Sequence, residues 1–110
     1  MDYGKLKRNW QFERIYREGN KYSDDLFVLY VLPNNTQETR IGLTVTKKVG
    51  ISVQRNRIKR VIREVFRLLE EIIPGNDLVI IAKKAAVNLG YSQARDSLRF
   101  LLYRAGILKP

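Results

Sequence analysis

A strongly basic segment with a helical apolar period dominates this sequence of 110 residues. From Lys47 to Arg67 it reads KKVGISVQRNRIKRVIREVFR, with eight lysines and arginines against the single acid Glu64. The formal net charge of the whole chain is +10, and the residues on either side of this segment are close to charge balance. A positive charge confined to one stretch indicates a surface for a polyanion.

Residues 52–71 predict one long amphipathic helix, capped by Ser52 and ended by Ile73-Pro74-Gly75. At about 100° per residue, the apolar positions cluster on one side of this helix and a cationic stripe falls on the other. The apolar positions are Ile58, Val61, Ile62, Val65, Leu68, Leu69 and Ile72, and the stripe consists of Asn56, Lys59, Arg60, Arg63 and Arg67. One face is therefore predicted to dock on the rest of the fold.

Solvation alone explains this stripe poorly. Favourable i,i+4 pairs are predicted only for Arg60–Glu64 and Arg67–Glu71, while other stripe neighbours carry like charges one turn apart. Further cations crowd the start of the helix, where the backbone dipole disfavours each of them by roughly 0.3–1 kcal/mol. Because the stripe costs folding energy, a bound phosphate backbone is the better explanation.

The remaining sequence predicts short helices and strands in the overall order α-β-β-α-β-α. The predicted elements are a helix over 9–18 capped by Asn9 and stopped by a left-handed Gly19, strands over 26–32 and 40–46 joined by a seven-residue loop, the basic helix, a strand over 78–82, and a helix from Ser92 to about Arg104 stopped by Gly106. The first two strands are predicted to form an antiparallel pair, and one more short strand is possible near 20–24. This order favours an α+β fold, a two-layer α/β sandwich of about four strands and three helices. We expect a single domain over 1–110, with a basic, flexible tail at 1–8.

Composition excludes several kinds of site. The chain has no cysteine and no histidine, so it lacks disulfides, thiolate metal sites and the commonest general base. The acids of Asp24-Asp25 and Glu70-Glu71 are expected on the solvated surface, and no metal site of the protein is predicted. We see neither a membrane-spanning run nor a secretory signal, and expect a cytoplasmic protein.

The motif RNRIKR at Arg55–Arg60, followed by VIRE, resembles the signature of the bacterial ribonuclease P protein subunit. The resemblance covers essentially the whole chain in order and spacing. It includes the basic residues Lys5, Lys7 and Arg8, then Phe12-x-x-Ile15-Tyr16-x-x-Gly19, FVLY at 27–30, IGLTV at 41–45, KKxG at 47–50 and DLVIIA at 77–82. One small departure is Ser52, where the family leads us to expect alanine.

The resemblance implies a fold similar to the second domain of a small-subunit ribosomal protein, with a left-handed strand–helix–strand crossover. It also implies a protein that is not catalytic alone and that assists a catalytic RNA, which removes the 5′ leader of precursor tRNA with Mg²⁺. The implied contacts to the catalytic RNA are Arg55, Asn56, Arg57, Lys59, Arg60, Arg63 and Arg67, with added charge from Lys47 and Lys48. The implied leader cleft is lined by Phe12, Tyr16 and Tyr30.

Strand periodicity supports that cleft in part. Val28 and Tyr30 share one strand face, and Gly42, Thr44 and Thr46 share a small, hydroxylic face of the next strand. Aromatic rings on such a surface stack on bases without demanding a sequence. The same aromatic pattern is also typical of a packed core, and the residues alone leave both interpretations open.

Three hypotheses about function follow. The chain is an RNA-binding subunit of a tRNA-processing ribonucleoprotein, a ribosomal or other structural RNA-binding protein of similar fold, or a DNA-binding regulator that uses the basic helix. The resemblance favours the first, with the catalytic RNA and precursor tRNA as partners and with no membrane or DNA expected.

Overall fold

The computed structural model of the protein describes residues 3–109. Five strands and three helices are present in this range. They are β1 (Gly4–Lys5), α1 (Asn9–Glu18), β2 (Asn20–Ser23), β3 (Phe27–Pro33), β4 (Arg40–Thr44), α2 (Ser52–Leu68), β5 (Asn76–Ala82) and α3 (Tyr91–Arg104), with a 3₁₀ turn at Lys84–Ala86. The α+β class, the three helices and the additional short strand near 20–24 are thus confirmed, and β1 is a fifth strand that the sequence did not predict.

The sheet is mixed, with the strand order β1-β4-β5-β3-β2. The central strand β5 is parallel to β4 and antiparallel to β3. The predicted antiparallel pairing of the 26–32 and 40–46 runs is therefore wrong, because β5 lies between them. The side chains of β5 are buried almost throughout, as a central strand covered on both faces requires. Since β4 and β5 are parallel neighbours, the chain joins them by a crossover through α2. The left hand of this crossover stays a prediction.

Alternate side chains of β5 enter two hydrophobic clusters, one on each face of the sheet. Leu78 and Ile80 belong to the larger cluster, which α2 and α3 cover. Val79 and Ile81 pack in the smaller cluster with Ile15 of α1. The helical layer of the predicted sandwich thus consists of α2 and α3, and α1 lies across the opposite face.

The helices begin with a different device from the predicted caps. Asn9, Ser52 and Ser92 all lie inside their helices, and the residues that precede the helices lack a capping side-chain hydroxyl or carboxylate. A glutamine in the first turn instead accepts a hydrogen bond from the backbone N–H of the capping residue. These bonds are Arg8 N–H to Gln11 Oε1 (3.0 Å), Ile51 N–H to Gln54 Oε1 (2.9 Å) and Gly90 N–H to Gln93 Oε1 (3.2 Å).

The helix ends agree with the sequence only in part. α2 ends at Leu68 rather than near Glu71. Gly19 has φ −76°, so its predicted left-handed conformation is wrong. Gly106 does adopt the left-handed region after α3, with φ +74°, as predicted.

The predicted flexible tail is wrong from Tyr3 onward. β1 pairs in parallel with the edge of β4, and Leu6 is buried in the smaller cluster. Hydrogen bonds from Gly4 N–H to the Thr39 carbonyl (2.9 Å) and from Leu6 N–H to the Ile41 carbonyl (3.1 Å) hold the segment in place. Residues 1 and 2 of the predicted tail lie outside the described residues.

Candidate nucleic-acid interface

The apolar face of α2 fixes the direction of the cationic stripe. Ile58, Ile62 and Val65 are completely buried under the sheet and α3. The helical period then turns the opposite positions toward solvent, and Asn56, Arg60 and Arg63 are exposed while Lys59 is half-buried. The predicted division of α2 into a docking face and an outward face is confirmed except at Leu68, the last residue of the helix, which is 51% exposed.

Three cations at the centre of the stripe are left without an internal partner. Within residues 3–109, no hydrogen bond or ion pair involves the side chains of Lys59, Arg60 or Arg63. The nearest acid of the helix, Glu64, is taken by Arg67, which forms two hydrogen bonds with it at 3.0 and 2.5 Å. That bond lowers the pKa of Glu64, so the carboxylate stays ionised on Arg67.

The two predicted i,i+4 ion pairs are wrong. Glu64 pairs with Arg67 at i,i+3 instead of with Arg60, and Glu71 pairs with Arg99 of α3 at 2.6 Å. The second pairing follows from the early end of α2, because Glu71 no longer lies one helical turn beyond Arg67. Arg60 is therefore more available to an external anion than the sequence predicts.

The two arginines at the start of α2 are tied to the protein. Arg57 donates from Nη1 to the carbonyl oxygen of Leu89 at 2.9 Å, which joins α2 to the loop before α3. Arg55 donates from Nη2 to the hydroxyl of Ser52 at 3.0 Å. Both belong to the predicted RNA-contacting set, and in the structure each also has a local structural role.

Lys47 and Lys48 lie in the exposed turn between β4 and α2. The backbone N–H of Val49 closes this turn on the carbonyl of Thr46 at 3.0 Å. The two lysines therefore stand next to the start of α2, where they extend its positive surface.

The predicted cleft residues come together on the face of the sheet that α1 crosses. The Tyr16 ring lies 5.1 Å from that of Tyr30 and 6.4 Å from that of Phe12, between centroids, with both pairs inclined. The hydroxyl groups of Tyr16 and Thr44 are hydrogen-bonded at 3.2 Å. Tyr16 is 38% exposed, and the other two rings are half-buried. This is an aromatic surface with accessible rings rather than a sealed core.

Gly42 allows the Phe12 ring to come close to β4. A Cβ atom at this glycine would come within 2.6 Å of two Phe12 ring atoms. The small face predicted for Gly42 and Thr44 is thus what brings the α1 aromatics down to the sheet. Val28 is half-buried on β3, whereas Thr46 is exposed in the turn beyond the end of β4.

A second recess, which the sequence did not predict, opens where β1 ends. We call this pocket of about 300 Å³ the edge pocket; its lining comes from β1, β4, α1 and α2, and includes Tyr3, Lys5, Phe12, Leu43, Lys59 and Arg63. The only sequence signal for it was the alternation around Leu6, which is too short to distinguish a strand from a tail. The edge pocket places two cations of the stripe close to an aromatic wall.

Tyr3 connects the N-terminal segment to the end of α2. Its hydroxyl donates a hydrogen bond to the Leu69 carbonyl at 2.9 Å, and its ring meets Phe66 edge-on at 5.9 Å. Burial, reinforced by the negative charge of Glu71, raises the pKa of Tyr3 to about 12. The phenol therefore remains a protonated donor at neutral pH.

The acidic pairs are more structural than the sequence predicts. Asp24 is half-buried and accepts hydrogen bonds from the Leu26 and Phe27 N–H groups, both at 2.9 Å, and from the Ser97 hydroxyl. Glu71 forms the ion pair with Arg99 described above. The expected solvated surface is thus wrong for Asp24, whereas Asp25 and Glu70 are exposed and Glu71 is partly exposed while it pairs with Arg99. Among residues 3–109, acidic side chains nowhere gather in a group of three that would suit a metal ion.

These features define a class: a small basic α+β protein that presents a cationic helix beside an aromatic cleft. The ribonuclease P family model matches residues 2–106. The ribonuclease P protein component of Clostridium kluyveri is 43% identical, with 99% of this chain and 100% of that protein covered. The chain therefore belongs to the ribonuclease P protein family, and its role lies in tRNA processing.

Solved structures agree with this assignment. The RNase P protein of Staphylococcus aureus has a TM-score of 0.88 and 34% identity, with 98% of this chain and 100% of that chain covered. The RNase P protein of Thermotoga maritima has a TM-score of 0.84 and 30% identity, with coverage of 91% and 96%. None of the helices described within residues 3–109 has the length and apolarity needed to cross a membrane.

Proposed function

We propose that this chain binds the catalytic RNA of ribonuclease P through the outward face of α2. The observation that carries the proposal is that Lys59, Arg60 and Arg63 have no internal partner in the described part of the chain, although α2 is firmly docked. Each cation that reaches an RNA phosphate releases condensed counterions, so binding falls steeply with salt. Arg55, Arg57, Arg67, Lys47 and Lys48 add to the same field.

The cleft of Phe12, Tyr16 and Tyr30 is proposed to hold the single-stranded 5′ leader of precursor tRNA. Its rings are inclined to one another and partly accessible, which suits stacking on bases of any sequence. Thr44 and Val28 line the same surface, and Thr46 stands at its end. Together the two surfaces bring the catalytic RNA and its substrate to one protein.

Magnesium-dependent cleavage is assigned to the RNA subunit. The donor set of the chain fits this division of labour, because the described residues offer no carboxylate cluster for Mg²⁺ and the sequence has no histidine. The protein then contributes positive charge and substrate contacts. We propose that the purified protein, free of RNA, does not cleave precursor tRNA; specific cleavage at the mature 5′ end by such a preparation would refute this.

Reconstitution with the catalytic RNA tests the proposal. Cleavage of leader-bearing precursor tRNA is measured at low Mg²⁺ with wild-type protein, with no protein, and with the K59Q/R60Q/R63Q variant. The wild-type protein should restore cleavage, and the variant should bind the catalytic RNA less tightly. Equal RNA affinity of the variant and wild type would overturn the assignment of α2.

The leader contact has its own test. Tyr16→Ala should weaken binding of leader-bearing precursor tRNA to the complex by about 1–3 kcal/mol for the lost stacking on one base. Mature tRNA without a leader is the matched control, and its affinity should not change. A similar loss with both RNAs would show that Tyr16 does not contact the leader.

A further inference from the structure

The edge pocket has an open strand edge as its floor. β1 presents hydrogen bonds to β4 only as far as Ile41, whose carbonyl accepts from Leu6. Because alternate residues of a strand face the same neighbour, Leu43 is the next residue to point its backbone groups toward this edge. No backbone hydrogen bond joins Leu43 to a described residue on that side. A ligand there would meet one free N–H and one free C=O group, both of which need a partner.

The walls of the edge pocket include aromatic rings from both faces of the sheet. Phe12 of α1 packs with the hydrophobic cluster on one face of the sheet, Tyr3 and Phe66 pack with the cluster on the other face, and all three line the edge pocket. The Tyr3–Phe66 edge-to-face contact and the Tyr3 hydrogen bond to Leu69 keep these two rings in place. A flat, unsaturated ring is the chemistry that such a space accommodates best.

The rim of the edge pocket is cationic. Lys59 and Arg63, one turn apart on α2, both line it, as does Lys5 of β1. None of the three has a side-chain partner within residues 3–109. Arg60 stands between Lys59 and Arg63 in sequence but does not line the edge pocket. A phosphate near this rim would find two or three positive charges.

We propose that the edge pocket holds one unstacked nucleotide of an RNA strand. The base lies between the aromatic walls, where its polar edge reaches the free backbone groups of Leu43, and its phosphate lies on Lys59 and Arg63. The inference deepens the proposed function, on which it rests for the identity of the strand as RNA. It separates two roles within the stripe, because Lys59 and Arg63 hold a single nucleotide while Arg60 contributes general charge.

Free nucleotides test the edge pocket without any RNA. The methyl groups of Ile41, Leu43 and Ile62 line it, and their NMR signals are followed during titration with adenosine 5′-monophosphate or inorganic phosphate. The nucleotide should shift these methyl signals and bind about tenfold or more tightly than phosphate, because only it brings a base to stack. Equal affinities, or shifts confined to Thr44 in the leader cleft, would overturn the proposal.

Matched variants separate the nucleotide site from general charge. Arg63→Gln should weaken adenosine 5′-monophosphate binding by about fivefold or more, since it removes a charged partner of the phosphate. Arg60→Gln removes one charge from the same helix and should change that affinity by less than about twofold, because exposed charges are well screened. Similar losses in both variants would show that only the overall field attracts the nucleotide. Wild-type methyl spectra away from α2 confirm that each variant is folded.

Displacement identifies which RNA supplies the nucleotide. A labelled adenosine 5′-monophosphate bound to the protein is challenged with catalytic RNA alone and then with leader-bearing precursor tRNA in the complex. Release by the catalytic RNA alone assigns the nucleotide to that RNA, and release only after the precursor is added assigns it to the leader. Retention of the label in the full complex would overturn the proposal. If adenosine 5′-monophosphate and inorganic phosphate bind with equal affinity while the K59Q/R60Q/R63Q variant still loses RNA affinity, the proposal for the edge pocket is wrong and the proposed function stands.

Discussion

The helices α2 and α3 carry similar cations but use them differently. Every arginine of α3 has a partner inside the protein: Arg95 contacts Asp96 and the Tyr91 ring, Arg99 pairs with Glu71, and Arg104 lies over the Phe100 ring. At the centre of the α2 stripe, Lys59, Arg60 and Arg63 have none among the described residues. The difference separates cations that serve the fold from cations that are left for an external polyanion.

Arg40 is the strongest example of a cation that serves the fold. It forms a bidentate pair with the buried Asp77, with Nε and Nη2 at 2.8 and 2.7 Å from the two carboxylate oxygens. Asn34 donates a further hydrogen bond to Asp77 at 2.9 Å. The bond to Asp77 raises the pKa of Arg40, and the pair joins β4 to β5 at one end of the sheet.

The largest expected effect on stability therefore comes from replacing Arg40. Arg40→Ala should lower the free energy of unfolding by about 3–5 kcal/mol, because it leaves the Asp77 carboxylate buried without its counter-charge. Urea denaturation measures the change. The double variant R40A/D77N should recover part of the loss, since the neutral amide no longer needs a cation. If R40A loses no more free energy of unfolding than a variant in which an exposed arginine is replaced, Arg40 does not differ from the cations of the stripe in its role in the fold.

A smaller effect distinguishes two arginines of the same helix. Arg57→Ala should lower the free energy of unfolding by about 1 kcal/mol, because it removes the hydrogen bond to the Leu89 carbonyl. Arg60→Ala is the matched control and should stay within about 0.5 kcal/mol of wild type. Both values come from the same denaturation experiment. Equal destabilisation by the two substitutions would mean that Arg60 is also structural.

The salt dependence of RNA binding sharpens the comparison further. Arg60→Ala should reduce the slope of log affinity against log salt concentration by about 1, as expected for the loss of one phosphate contact. Arg104→Ala on α3, which lies over Phe100, should leave the slope close to wild type. Filter binding of the catalytic RNA across a salt series gives both slopes. If the α3 variant changes the slope as much as the α2 variant, the RNA contacts both helices.

The smallest expected effect concerns the acid response of the Glu71–Arg99 pair. The hydrogen bond from Arg99 lowers the pKa of Glu71 below its ordinary value of 4.5. The pair therefore stabilises the fold above that pH, and its contribution is lost as the pH falls through the lowered pKa. Thermal unfolding of wild type and Glu71→Gln should differ at pH 7 and converge in acid. A constant difference across this range would show that the charge of Glu71 has no role.

The parts of the site that could be predicted are those that depend on neighbouring residues in sequence. The period of Ile58, Ile62 and Val65 predicts which side of α2 faces outward, and the alternation around Gly42 and Thr44 predicts a small strand face. The helix starts were harder to predict, because a glutamine in the first turn takes the place of the expected hydroxyl and amide caps. The predicted Arg67–Glu71 pair was wrong because it depends on where the helix ends, three residues earlier than predicted, and the Arg60–Glu64 pair was wrong because Glu64 takes Arg67 instead.

By itself, the sequence determined that a docked amphipathic helix would present a dense stripe of positive charge to solvent, since a helical period and a local charge are properties of one segment. Only the tertiary structure decided that β5 separates β3 from β4, that β1 extends the sheet beside the edge pocket, and that Asp77 and Glu71 take Arg40 and Arg99 as partners. These outcomes depend on contacts between residues far apart in the chain, so they follow from how the elements pack and not from the pattern within any one of them.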